Sequence, residues 1–184
     1  MNTGAISMRY AKALLMFAND AGVADKVYQE ALTLRKSFRE VPALRSALDK
    51  PVMTRENKLR MLVYGAGGEI TKQMQKFFDL VLQEKREKFL VNINQCFIDL
   101  YRKQEKIRVG KLTTAVPISP EEVERIRQIV VSHAGGTAEF ATKVDPDIEG
   151  GFIFEINTYR LNASVADQMR RIKQQFIEKN RRIV

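Results

Sequence analysis

The side chains that could do chemistry are few and scattered. His133 is the single histidine of the 184 residues, so a metal site built on two imidazoles is excluded. It precedes Ala134-Gly135-Gly136, where an imidazole near a helix end is the ordinary reading. Cys96 is the single cysteine; it excludes an internal disulfide and suits a reducing compartment. No cation is placed by sequence to make it a thiolate, so it reads as a structural thiol. Gly65-Ala66-Gly67-Gly68 is not a phosphate loop: no strand precedes it and the Gly-Lys-Ser/Thr ending is missing. Asp145, Asp147 and Glu149 alternate as cation ligands do, but Pro146 separates the first two and no EF-hand loop follows. They read as the solvated carboxylates of a turn. The serines have no partner histidine except His133. The chain therefore offers no catalytic residue, no cofactor site and no metal site, and reads as a non-catalytic binding protein.

The elements around these residues change character once. Ile6, Tyr10, Ala13, Leu14 and Phe17 fall on one face of a first helix from Ala5 to about Ala21. Met8, Ala11, Leu15 and Ala18 fall on another, so the apolar surface is wider than a surface helix needs. Ala24 to about Arg39 reads as a second helix, and Pro42 to Leu48 as a short third. Thr54 looks like the N-cap of a fourth helix, which the Gly65–Gly68 run stops. A fifth runs from about Ile70 to Lys85, with Met74, Phe77, Phe78, Val81 and Leu82 inward. A sixth, the longest, runs from about Glu87 to Lys106, striped by Phe89, Ile93, Phe97, Leu100 and Tyr101, with Cys96 beside it. The fold class that follows is mainly α: a six-helix bundle over residues 1–105 and a small α/β domain over residues 106–184.

Period two takes over near Lys106. Ile107, Val109, Leu112 and Thr114 read as a strand ending at Pro117. Ser119 is a good N-cap and Pro120 sits at the first helical position. Val123, Ile126, Ile129 and Val130 are the stripe of that helix, and Gly135-Gly136 ends it. Thr137–Val144 reads as a second strand, Phe152–Ile156 as a third, and Tyr159 to Leu161 as its hairpin partner. Ser164 then caps a basic helix with Val165, Met169, Ile172 and Phe176 on one face.

Composition narrows the class further. Apolar residues make up 45% and charged residues 29%, enough for a packed core. The net charge is +9, with 18 basic and 12 acidic residues in 1–105 and 13 and 10 in the remainder. The excess is spread along the chain and forms no polybasic arm. A nucleic-acid-binding protein is the alternative that this charge motivates. No apolar run is long enough to span a membrane, and the N-terminus has no secretory signal pattern. The two-sided first helix has two readings: a central helix buried all round, or one wall of a groove, between the first and fifth helices, that accepts a partner helix.

Several stretches resemble one family. Met8-Arg9-Tyr10-Ala11-Lys12-Ala13-Leu14 is similar to the Arg-x-Tyr-Ala-x-Ala-Leu opening of the delta subunit of bacterial F-type ATP synthase, counterpart of the mitochondrial oligomycin-sensitivity-conferring protein. The likeness continues through Pro51 and Lys58, and through Phe78, Leu82 and Arg86. Thr114 to Ser119 resembles the family's Ala-x-Pro-Leu-Ser turn, Val144 to Gly151 its Val-Asp-Pro-x-Leu-Ile-Gly-Gly motif, and Ser164 to Met169 its closing Ser-Val helix start. Glu149 stands where an aliphatic residue is usual, and Asn162-Ala163 where Asp-Gly is usual.

The resemblance implies a stator role without catalysis. The bundle would cap the catalytic head by gripping alpha-subunit N-terminal helices, and the second domain would engage the b subunit of the peripheral stalk. The head would then not turn with the rotor during proton-driven ATP synthesis. Tyr10, Ala13, Leu14 and Phe17, facing Phe77 and Val81, are the expected lining of the alpha-helix groove. One copy per complex is expected, bound indirectly to the cytoplasmic face of the bacterial inner membrane, with no nucleic acid and no cofactor.

Overall fold

The computed structural model describes residues 3–50, 52–125, 128, 137–156 and 159–181. It is mainly helical with one small four-stranded sheet, and it divides into two compact units, Met1–Gln104 and Glu105–Val184.

The first unit contains α1 (Thr3–Asp20), α2 (Ala24–Glu40), α3 (Pro42–Leu48), α4 (Arg55–Gly65), α5 (Lys72–Gln83) and α6 (Leu90–Gln104). Helix α1 packs most extensively on α6, and its buried row is Ser7, Ala11, Leu14 and Ala18. Three of these four are small, which lets the helix backbones approach closely. Val27, Ala31 and Leu34 bring α2 to the same core, and Phe78, Val81, Ile93 and Phe97 fill it. The buried amide of Asn94 is satisfied: its Nδ2 donates to the Ala31 carbonyl at 2.9 Å.

Helix ends explain most boundaries. Thr54 Oγ1 accepts from Asn57 N and Thr71 Oγ1 from Met74 N, starting α4 and α5. The Glu30 carboxylate of α2 accepts from both Thr71 N and Thr71 Oγ1, at 2.6 and 2.9 Å. Helices α1, α4 and α5 all close in the paired pattern of a Schellman turn. The left-handed residue is Gly22 after α1 and Gly67 after α4, but Lys85 after α5. Gly65 has another task, since a Cβ there would press on Leu34 and Leu44 at 3.3 Å.

The structure corrects several expected limits. The fifth helix begins at Lys72, because Thr71 serves as its cap, and ends at Gln83. The sixth is preceded by a 3-10 turn at Glu87–Phe89, so at 15 residues it is shorter than the 18 of α1. Leu100 is half-buried, whereas Leu90, Asn94 and Ile98 join the buried face.

The second unit contains β1 (Ile107–Thr114), a helical segment α7 (120–125), β2 (Thr137–Val144), a 3-10 turn at Pro146–Ile148, β3 (Phe152–Ile156), β4 (Tyr159–Asn162) and α8 (Val165–Arg181). Strand β1 ends at Thr114, three residues before Pro117. Ser119 and Glu122 cap α7 reciprocally: Ser119 N donates to the Glu122 carboxylate and Glu122 N to Ser119 Oγ. Ile126, Ile129, Val130, His133 and the Gly135-Gly136 stop lie outside the described residues.

The sheet order is β2-β1-β3-β4. Strand β1 pairs parallel with β2 and antiparallel with β3, and β3–β4 is a hairpin. Leu112, Phe154 and Ile156 form a small core, with Phe140, Phe152 and Ile118 packed against it. Gly110 makes room: a Cβ there would lie 2.8 Å from the Phe140 ring, which meets Phe154 edge-on at 5.3 Å. On the other face Glu155 pairs with Arg160 at 3.3 Å and, more loosely, with Lys111.

Candidate partner-binding surfaces

Helix α1 separates the six expected groove residues into two sets. Leu14, Phe77 and Val81 are buried in the unit's own core, so they support a partner surface from beneath and do not line it. This corrects the expectation that all six would face a partner. Tyr10 is half-buried, Ala13 is exposed and Phe17 is 39% exposed. With Ile6 these three form a flank beside the buried row Ser7, Ala11, Leu14 and Ala18. The physical reason is rotational: α6 takes the small-residue row, so the aromatic row is displaced toward solvent. Met16, 66% exposed, and Met8 extend the apolar surface of α1. By period Met8 belongs to the second apolar face of the helix and Met16 to neither face.

The second unit carries its apolar surface differently. A cavity of about 450 Å³ is lined by Val116, Ile118 and Phe152, by the backbone of Gly150 and Gly151, and at its rim by Glu122, Arg125 and Glu149. It is built from the Thr114–Ser119 and Val144–Gly151 stretches, which are far apart in sequence. Asp145 fixes the second stretch. Its N–H donates to the Thr114 carbonyl at 2.8 Å, and its carboxylate accepts from Asp147 N and Lys143 Nζ. Those hydrogen bonds, Lys143 first, hold the exposed Asp145 carboxyl below its usual range.

The Gly-Gly pair is sterically required. Gly151 has φ +70°, and a Cβ there would stand 2.2 Å from the Ala163 carbonyl oxygen. The departure at Asn162 keeps the local chemistry, because Asn162 Oδ1 accepts from both Ser164 N and Ser164 Oγ. Ser164 Oγ in turn accepts from Asp167 N and starts α8. Along α8, Val165, Met169, Ile172 and Ile177 are 41, 59, 46 and 50% exposed.

Polar clusters elsewhere act within the first unit. Lys58 Nζ donates to Glu87 Oε1 at 2.6 Å, with only 8 and 18% of the two side chains exposed. Burial pushes the Glu87 carboxyl up, but the hydrogen bond from Lys58, a backbone N–H and the charges of Lys58 and Lys85 outweigh it and hold the pKa below the ordinary value. Tyr101 donates to Asp25 and stacks on Tyr28 at 4.2 Å, while Arg102 Nε donates to the Tyr28 hydroxyl. These contacts fasten α2 to the end of α6.

Cys96 is half-buried, and burial, then Asp99, raises its pKa, which keeps it a thiol. No cluster of three or more metal-ligating side chains occurs among the described residues. Within the same limits, no helix is long and apolar enough to cross a membrane.

A profile of the ATP synthase delta (OSCP) subunit family matches residues 6–176. The chain is 56% identical to the ATP synthase subunit delta of Phocaeicola vulgatus, with 100% of both chains covered. It is 48% identical to that of Bacteroides thetaiotaomicron, again over 100% of both. Its fold resembles a chain in the cryo-EM structure of the Toxoplasma gondii mitochondrial ATP synthase hexamer, with TM-score 0.62 and 22% identity over 93% of this chain and 97% of that one. Matched by sequence over almost its whole length, the chain belongs to the ATP synthase delta (OSCP) subunit family.

Proposed function

We propose that this subunit ties the catalytic head to the membrane stalk through two surfaces, one on each unit. As a member of its family the chain is a non-catalytic, structural component of the peripheral stalk of an F-type ATP synthase. The nucleic-acid alternative finds no support in that family.

Residues 1–105 work as a six-helix bundle that takes an N-terminal helix of an alpha subunit against α1. Residues 106–184 engage the b subunit. One copy sits in each complex, at the cytoplasmic face of the bacterial inner membrane, and the membrane is reached only through the complex. The observation that carries the reading is the aromatic flank of α1, where Tyr10, Ala13 and Phe17 stay accessible although the helix is packed against α6. A buried interface on the order of 800 Å² per partner suits a helix laid along such a flank. Two attachments on one subunit add avidity, as a part under torque requires.

Calorimetric titration of the full chain with a peptide of the alpha-subunit N-terminal helix tests it. Binding that is lost in Phe17→Asp is expected; no binding, or binding indifferent to that substitution, removes the α1 assignment.

A further inference from the structure

One cavity of the first unit is walled by charge. It measures about 270 Å³, lies between the start of α4 and the turn that closes α5, and is lined by Met53, Arg55, Lys58, Leu82, Lys85 and Glu87. Its cations outnumber its carboxylate. Asp79 engages Arg55 at 3.0 Å, and Glu87 engages Lys58 at 2.6 Å. Lys85 is exposed, and its charge acts on Glu87, yet it makes no ion pair among the described residues.

Hydrogen-bonding capacity is left over at the same place. An ammonium has three donors, and Lys58 Nζ uses one of them on Glu87 Oε1, with only 8% of the Lys58 side chain exposed. Glu87 Oε2 is closed off from solvent and accepts from no group among the described residues. A buried carboxylate oxygen without a donor is costly, so it marks a place where a donor is wanted. The carboxyl turns about a broad terminal torsion, which brings either oxygen to a donor seated in the cavity. The first-turn N–H groups of α4 add positive potential on the same side.

These features select a ligand by its chemistry. It must be an anion, to answer Lys85. It must offer acceptors to the remaining Lys58 donors and one donor to Glu87. Sulfate and carboxylates lack the donor at neutral pH, and water lacks the charge. Hydrogen phosphate has one P–OH and three further oxygens on a single small anion.

We infer that this cavity binds inorganic phosphate as hydrogen phosphate, whose P–OH donates to Glu87 while its other oxygens accept from Lys58 and face Lys85. Seated there, it ties the start of α4 to the turn after α5 beside the Lys58–Glu87 pair. The inference is independent of both partner surfaces.

The test is calorimetric titration of the full chain with sodium phosphate, sodium sulfate and methyl phosphate at equal ionic strength. At about pH 8 all three are mainly dianions, and only inorganic phosphate keeps a P–OH. Phosphate is expected to bind about tenfold more tightly than the other two, the worth of one hydrogen bond to a charged group. Glu87→Gln should level phosphate and sulfate, because an amide donates to an anion as a carboxylate cannot. Lys85→Asn keeps a residue that tolerates the left-handed backbone, so its melting should match the parent chain. It should weaken phosphate binding about threefold, as the loss of one exposed cation does. Lys36→Gln removes the same charge from α2 and should leave binding in place. No binding of phosphate means that the cavity takes water alone, and overturns the inference. Sulfate binding as tightly as phosphate removes the role of Glu87 and overturns it too. Methyl phosphate binding as tightly or more so assigns the site to a phosphate ester instead. Phosphate binding unchanged in both Glu87→Gln and Lys85→Asn puts the ion elsewhere on the chain.

Discussion

The two units solve the burial problem to different degrees. In the first, the helices bring Phe78, Phe97, Leu14, Leu34 and Ile93 into one core with almost no exposure, and its buried Asn94 is hydrogen-bonded. The second rests on Leu112, Phe154 and Ile156, while Val116, Leu161, Val165, Met169 and Ile172 remain in solvent. Contiguous apolar surface of this kind marks a place where another molecule sits. The first unit has the deeper core, yet it too leaves Met16, Phe17, Val52 and Tyr64 exposed. Among the described residues, the second has the smaller core and leaves at least as many large apolar side chains exposed as the first.

The sharpest way to break that contrast is to cut each core. Phe78→Ala removes a fully buried ring and should cost about 4 kcal/mol. Phe154→Ala removes a ring that is 8% exposed and packed at the edge of a smaller core, and should cost about 3 kcal/mol. Denaturant melts of the full chain, read by circular dichroism, compare them. A larger loss from Phe154→Ala would show that the small core is the more tightly organised one.

Next in size is the near-buried ion pair. Glu87→Ala strands the Lys58 ammonium and should destabilise the first unit by about 3 kcal/mol. Its pH dependence has a definite sign. The folded Glu87 carboxyl is held below its ordinary range, so its contribution is present above the unfolded value, about pH 4.3, and is lost as pH falls through the folded value. Glu30 works the other way, because burial raises its pKa despite the hydrogen bonds from Thr71. Acid titration of the melting temperature should therefore be shallower in Glu87→Gln than in the parent chain. A steeper acid limb would mean that Glu87 does not contribute in the stated sense.

Local pattern was legible where one residue type has one physical use. Thr54, Ser119 and Ser164 were readable as caps, and the Gly65–Gly68 run as a helix stop, because few other residues serve there. The same logic failed at Lys85, which takes a left-handed conformation without being glycine, so the end of α5 was placed two residues late. Long-range packing was not legible. Period alone gave α1 two apolar faces, and only its docking on α6 chose the row of Ser7, Ala11, Leu14 and Ala18 as the inner one. That choice moved Leu14 inward and left Tyr10, Ala13 and Phe17 outward. Phe77 and Val81 were read as inward in the sequence and are inward in the fold, which is why they cannot also line an open groove. The cavity of the second unit was invisible for a related reason: its two walls meet only in the folded sheet, where Thr114 stands opposite Val144 and Phe152 and Asp145 N donates to the Thr114 carbonyl.

A smaller effect probes how the second unit is held together. Asn162→Ala removes the acceptor that Ser164 N and Ser164 Oγ share, and should cost about 1 kcal/mol, as the loss of a helix cap does. Asn162→Asp restores the acceptor and should restore the stability. If Asn162→Ala melts like the parent chain, the turn before α8 is held by the Ala163-to-Phe152 and Val165-to-Gly150 backbone bonds alone.

The smallest expected change in stability belongs to Phe17→Asp, and it is the one that separates folding from binding. Phe17 is already 39% exposed, and the rows that pack α1 on α6 do not include it. Surface substitutions of this kind stay within about 0.5 kcal/mol. Phe78→Ala should therefore lower the melting temperature and weaken alpha-peptide binding only as far as the unit unfolds, whereas Phe17→Asp should leave melting in place and abolish binding. Equal melting losses for the two would place Phe17 in the core of the first unit. The unit would then keep no aromatic flank to spare, and the separation of its deep core from an offered face on α1 would collapse.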